Sequence, residues 1–311
     1  LFARRGKPLT SVGPLAIFRQ PVHNCGMFAA MLNRTYALAL AAVLISGHSA
    51  QAAEPPHPIV VGHRGLMHSA PECTLTAFRA CLALRVGFEF DVRRTKDGVL
   101  ACLHDATLDR TTNGHGNLAD VTYDQLERLD AGNRFSPAFR GERVPRIDEI
   151  FTLIADETRG DMLFAVDLKE TGDGLEEKIV RLAESRGVLA QLLFIGKTIE
   201  STDVREQLKD ASDLARTARL CNNADEIKTA ITDVNTDWIY VRHWPSPADI
   251  ARIHAANKRL FIAGPLVAGH DVSNWSKTAE LGIDAILTDF PLELAQQLRS
   301  RAVGNGLRGV P

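Results

Sequence analysis

The 311-residue chain has few aromatic side chains, 6% of the total, and only five cysteines. So few thiols exclude a small scaffold held by disulfides. The longest apolar run, Tyr36 to Ile45, falls well short of the ~20 residues a membrane helix needs, which argues against stable membrane insertion. No glycine-rich phosphate fingerprint follows the first strand candidate, because Gly62-His63-Arg64-Gly65 has the wrong spacing, so a doubly wound open sheet is disfavoured. Internal repeats and low-complexity segments are also missing.

Acids are absent from the first 52 residues, which carry Arg4, Arg5, Lys7, Arg19 and Arg34. Arg34, the apolar run and Ser49-Ala50-Gln51-Ala52 read as a secretory signal peptide, with Met31 or Met27 as start and cleavage after Ala52. A mitochondrial transit peptide is the weaker alternative. Residues before Met27 read as upstream sequence outside the fold. The fold is assigned to 53–311, and a periplasmic or secreted product is expected. Beyond residue 52 the chain keeps 31 Lys and Arg against 38 Asp and Glu, a net charge of −7. An acidic surface argues against nucleic acid as a partner. Of Cys73, Cys81, Cys102 and Cys221, the second lies on an apolar helix face and the third in an apolar strand. No obligatory disulfide is expected.

From Pro58 onward, short apolar runs alternate with helical stretches. Strands are predicted at 59–62, 88–92, 100–103, 163–168, 192–196, 216–220, 237–242, 259–264 and 285–288. Helices are predicted at 74–86, 147–157, 174–186, 200–213, 224–232, 247–257, 272–282 and 291–300. This alternation implies an α/β fold with a parallel sheet, and eight such units make a (β/α)8 TIM barrel. The ninth run is absorbed as a hairpin, since Lys96-Asp97-Gly98-Val99 joins the second and third strands too tightly for a parallel crossover. A two-residue Asp97-Gly98 loop places Asp91 opposite His104. Residues 106–146 break the alternation and read as a small insertion after the third strand, a lid or binding loop.

Chemistry concentrates at strand ends. His63 and His104 each close an apolar run, and Glu89 and Asp91 alternate on the strand between, so both face one side. Two like charges on one face call for a cation between them. Asp167 and Lys169 share a face in the same way. Three carboxylates without a thiolate suit a hard divalent cation, Ca²⁺ or Mg²⁺. The blander alternatives are salt bridges from Glu89 and Asp91 to Arg93 or Arg94, His104 merely paired with Asp105, and a structural Asp167–Lys169 pair. Glu72 could simply begin a helix, His115 reads as solvated, and Asp289 as closing the last strand, with a pocket-lining role as the alternative. The Arg242-His243-Trp244-Pro245 segment either lines a pocket or anchors a loop through a buried Trp.

These pieces resemble the glycerophosphodiester phosphodiesterase family, related in fold to phosphoinositide-specific phospholipases C. The matching segments are Gly62-His63-Arg64-Gly65, Pro71-Glu72, Glu89-Phe90-Asp91-Val92, Thr95-Lys96-Asp97-Gly98, His104-Asp105, Asp109-Arg110-Thr111-Thr112, Asp167-Leu168-Lys169 and Gly282-Ile283-Asp284-Ala285-Ile286-Leu287-Thr288-Asp289-Phe290-Pro291. They stand in the family's order over roughly 59–291. The resemblance implies metal ligation by Glu89, Asp91 and Asp167, acid–base roles for His63 and His104, and phosphate contacts from Arg64 and Lys169. Glu72 is implied to support the site from behind. The implied reaction is metal-dependent hydrolysis of small glycerophosphodiesters to sn-glycerol 3-phosphate and an alcohol, by attack of the glycerol 2-hydroxyl or of water. Phospholipase D-like attack on lysophospholipid or sphingomyelin head groups, and phosphodiester binding without catalysis, are the competing functions. Oligomeric state is left open. Three departures stand out: Cys73 where the family usually has Asn, Asp167 where it usually has Glu, and Leu260-Phe261-Ile262-Ala263-Gly264-Pro265 in place of a Trp-Thr-x-Asn-like strand.

Overall fold

The computed structural model describes residues 58–306; the leader-like segment over 1–52 lies outside the described residues. The strands are β1 (Ile59–Gly62), β2 (Gly87–Arg94), β3 (Leu100–Cys102), β4 (Phe164–Leu168), β5 (Leu192–Ile195), β6 (Ala218–Cys221), β7 (Trp238–Val241), β8 (Arg259–Ile262) and β9 (Ala285–Thr288). Eight of them run in parallel around a nearly closed barrel, β1-β2-β4-β5 continuing into β6-β7-β8-β9 and back to β1. The seam between β5 and β6 is thin. It rests on one bridge, Phe194 with Thr217, where the Phe194 N–H donates to the Arg216 carbonyl at 2.9 Å. The fold is the expected (β/α)8 barrel, with β3 as an antiparallel arm on β2.

Helices alternate with the strands: α1 (Leu75–Ala83), a single turn α2 (Tyr123–Leu126), α3 (Ile147–Glu157), α4 (Leu175–Ser185), α5 (Thr202–Ala211), α6 (Ala224–Thr232), α7 (Pro247–Ala255), α8 (Val272–Glu280) and α9 (Pro291–Gly306). Side-chain caps start several of them. Thr74, Asn223, Ser246 and Asp271 each accept from backbone N–H groups of the first turn, satisfying donors that the helix leaves unpaired. Among the described residues no helix is long and apolar enough to cross a membrane.

Strand alternation divides the core into two layers. On β2, Phe88, Phe90 and Val92 point outward and pack with Phe78 of α1 and Phe151 of α3, while Glu89 and Asp91 point inward. The barrel interior is plugged by Trp238, Tyr240, Phe261, Leu163 and Leu193. Apolar filling below leaves the inward acids near the C-terminal ends of the strands, the end where barrels carry their chemistry.

Two expectations need correction. The β2–β3 ladder pairs Val92 with Cys102, Arg93 with Ala101 and Arg94 with Leu100, so the register sets Asp91 against Leu103 rather than His104. The cause is a three-residue loop: the Thr95 N–H donates to the Val99 carbonyl at 3.0 Å, and Gly98 takes the left-handed conformation at φ 76°, the geometry of a hairpin with a bulge. His104 still reaches the site, because β3 stops at Cys102 and a bend over 104–106 redirects the chain. The insertion also differs from a lid. It has its own small core of Leu108, Leu118, Tyr123, Leu126 and Val144 against Ala101 and Leu103, and none of 106–146 lines the cavity at the histidines.

Candidate active site

A cavity of about 280 Å³ opens at the C-terminal end of the barrel and is lined by His63, Arg64, Glu89, His104, Asp167 and Lys169. Asp91 lies beneath, fully buried. The eight predicted site residues therefore converge, with Glu72 reaching the cluster through Arg64. Asp91 and Asp167 are register partners on the adjacent parallel strands β2 and β4, and oxygens of Glu89, Asp91 and Asp167 lie within 4.8 Å of one another. Like charges so placed repel. Among the described residues the nearest compensation is the Lys169 ammonium, 2.6 Å from Asp167 Oδ2 and 2.9 Å from Asp91 Oδ1.

One ammonium does not balance three acids. Burial, with repulsion from Asp91 and Asp167, pushes the Glu89 carboxyl well above the ordinary carboxylate range. Asp167 is raised too, chiefly by burial. Burial acts likewise on Asp91, but Lys169, together with His104 and Arg64, holds that carboxyl low. Asp167 Oδ1 is buried without a hydrogen bond, and Asp91 Oδ1 meets Lys169 without a hydrogen bond's alignment. Hard oxygen donors with orphaned buried atoms fit a divalent cation.

Each histidine is anchored by a carboxylate. Nδ1 of His63 is 2.7 Å from Asp289 Oδ1, and Nδ1 of His104 is 2.7 Å from Asp105 Oδ1. Both rings thus keep Nε2 for chemistry. Asp289, read from sequence as a strand terminator, lines the cavity as well. His104 does form a pair with Asp105, and His104 lines the cavity all the same.

Arg64 adopts a left-handed backbone, φ 54°, and its N–H donates to Glu89 Oε2 at 2.9 Å. Its guanidinium donates to Glu72 at 3.1 Å, while Nε is buried with no acceptor, 3.8 Å from Asp91 Oδ2. Arg110, from the insertion, grips two acids at once: Glu72 at 2.7 and 2.8 Å, and Asp105 at 2.6 and 3.0 Å. Its hydrogen bonds, first among several causes, hold the Asp105 carboxyl well below the usual range. Glu72 therefore supports Arg64 and does not begin a helix.

The remaining candidates separate cleanly. Arg93 and Arg94 pair with Glu170 and leave the β2 acids alone. His115 is exposed and paired with Asp109. Trp244 packs on the helical core under Lys277, whereas Arg242 lines the cavity. The Cys73 thiol sits where the family usually has Asn and points to Asp91 Oδ2 at 3.4 Å. All four described cysteines are free and buried. Just beyond β8, Ala263 and Gly264 border the cavity.

Comparison with known proteins places the chain in a family and a fold. The model of the glycerophosphoryl diester phosphodiesterase family matches residues 63–293. A glycerophosphodiester phosphodiesterase of Caldanaerobacter subterraneus is 42% identical over 127 residues, which are 40% of this chain and about half, 51%, of that relative. The Bacillus subtilis protein YhdW is 30% identical over 247 residues, 75% of this chain and 94% of its own. Among solved structures, a glycerophosphodiester phosphodiesterase from Agrobacterium tumefaciens superimposes with a TM-score of 0.65 at 26% identity, covering 77% of this chain and 99% of that one.

Proposed function

This chain belongs to the glycerophosphoryl diester phosphodiesterase family, and on that premise we propose that it is a metal-dependent hydrolase converting glycerophosphodiesters to sn-glycerol 3-phosphate and an alcohol. The observation that carries the reading is one cavity containing two carboxylate-anchored imidazoles and a three-acid cluster. Glu89, Asp91 and Asp167 would hold the ion, Ca²⁺ or Mg²⁺. When bound, it supplies Lewis-acid polarisation of a phosphoryl oxygen.

The protein's own groups do the rest. Arg64, which lines the cavity, offers its guanidinium to a phosphoryl oxygen, and Lys169 adds an ammonium, so both stabilise charge that grows on the equatorial oxygens. One imidazole takes the proton of the attacking hydroxyl and the other protonates the departing alkoxide; attack by water gives sn-glycerol 3-phosphate directly, whereas attack by the glycerol 2-hydroxyl gives a cyclic phosphate that water then opens. Asp289 and Asp105 fix the ring tautomers. The exposed large apolar side chains Phe135, Leu214, Val234 and Val272 lie away from the cavity, which favours a small soluble substrate over intact lipid. Export to the periplasm or medium follows from the leader-like segment over 1–52.

Release of sn-glycerol 3-phosphate by the purified protein tests the proposal, with His63→Ala and His104→Ala as variants. Each variant is expected to lose at least about 100-fold in kcat, the typical share of a positioned acid or base. Full activity in either variant contradicts it.

A further inference from the structure

A second, larger cavity of about 700 Å³ adjoins the first and shares Asp167, Lys169 and Arg242 with it. Its lining is cationic. Lys169, Lys197 and Arg242 border it with the hydroxyls of Thr171 and Ser201, and Asp167 is the one acid. This is unusual on a chain with net charge −2. Among the described residues neither Lys197 nor Arg242 has a carboxylate at ion-pairing distance. The Arg242 guanidinium instead donates to the Tyr240 hydroxyl at 3.3 and 3.2 Å and lies over that ring. Glu200 attracts Arg242 through space but does not border the cavity. Asp167 is already engaged by Lys169. Two cations without carboxylate partners, facing a cavity that opens beside the phosphate-binding groups, have the character of an anion site.

We propose that this larger cavity is the subsite for the alcohol half of the diester and selects alcohols that carry a second anionic group, with Arg242 and Lys197 as its recognition residues. The proposal rests on the phosphodiesterase reading above and names its substrate class. The first cavity, smaller and bordered by Ala263, Gly264 and Leu287, then takes the glycerol. A guanidinium fork matches a phosphate or carboxylate bidentately, and Lys197 adds a point charge. A quaternary ammonium head group meets repulsion in the same place.

A matched pair of substrates tests this: glycerophosphoinositol and glycerophosphoinositol 4-phosphate, which differ by one phosphate, with glycerophosphoglycerol as a neutral reference. The wild-type protein is expected to favour the phosphorylated compound in kcat/KM by about tenfold, the size of one charge-assisted contact. Arg242→Gln and the exposed Lys197→Glu should each move that ratio toward one, the charge reversal most, while circular dichroism stays unchanged. A wild-type ratio near one, or a ratio that survives both substitutions, overturns the subsite. So does turnover of glycerophosphoglycerol without turnover of either inositol compound. Failure to hydrolyse any of the three overturns the phosphodiesterase reading itself, and the subsite with it.

Discussion

At the scale of single residues, the site is a set of charges held in place by other charges. Glu89, Asp91, Asp167 and Lys169 are legible in sequence because strand alternation fixes the direction of each side chain, and His63 because it directly follows β1, whereas His104 reaches the site through a bend after β3. Of their supports, Glu72 and the His104–Asp105 pair are readable from sequence, while the anchoring of His63 by Asp289 and the clamp of Arg110 are not. Asp289 meets His63 across 226 residues, and no local pattern announces such a contact. Asp289→Asn and Asp105→Asn should lower kcat by at least about tenfold with little change in KM, since the ring loses its tautomer and not its substrate. Equal kcat for both variants and wild type in steady-state assays would remove the carboxylates from the account. Arg110 yields a prediction with a pH signature. Asp105 and Glu72 are held below their ordinary values in the folded protein. Their contribution to stability is therefore complete above the unfolded carboxylate pKa of about 4 and lost as pH falls through the lower folded values. Arg110→Gln should thus lower Tm most near neutrality, with the gap to wild type closing below about pH 4. A gap constant down to the acid limit of folding would show that Arg110 stabilises by packing alone. Arg110→Lys should restore little, because an ammonium does not fork between two carboxylates.

At the scale of elements, hydrophobic periodicity located every barrel strand and the eight long helices, while local backbone geometry decided their ends. The predicted α1 and α7 run on to 86 and 257, but Arg85 and Asn257 take left-handed conformations and turn the chain out of the helix. Neither is a glycine, the usual cue for such a stop. Asp97-Gly98 signals a hairpin equally well for a two- or three-residue loop, and that one-residue ambiguity explains the shifted β2–β3 register. The insertion's apolar cluster was hidden because its members are scattered over 101–144 without period. A further element-level feature sits after β5. Gly196, at φ 104°, packs so close to Asp167 that a Cβ would lie 2.0 Å from its Oδ1. Gly196→Ala should cost about 1–3 kcal/mol through backbone strain and displace the shorter acid that stands in the family's Glu position. Calorimetric titration with Ca²⁺ or Mg²⁺ should show weakened binding, whereas unchanged affinity would mean that Asp167 is not a ligand.

For the molecule as a whole, the barrel gathers three acids at one end and leaves them under-neutralised. Without an ion their repulsion opposes folding, and with one the repulsion becomes binding energy. Adding Ca²⁺ or Mg²⁺ to chelator-treated protein should raise Tm, by about 2.7 kcal/mol of stabilisation at a hundredfold excess over Kd. Asp91→Asn should lose most of that gain. A Tm indifferent to the ions in the wild type would argue for a structural Asp–Lys cluster instead. The most direct test is the release of sn-glycerol 3-phosphate from glycerophosphoglycerol by the chelated protein, before and after Ca²⁺ or Mg²⁺ is returned. The account predicts negligible release with chelator and recovery with the ion, whereas undiminished release in chelator would contradict it.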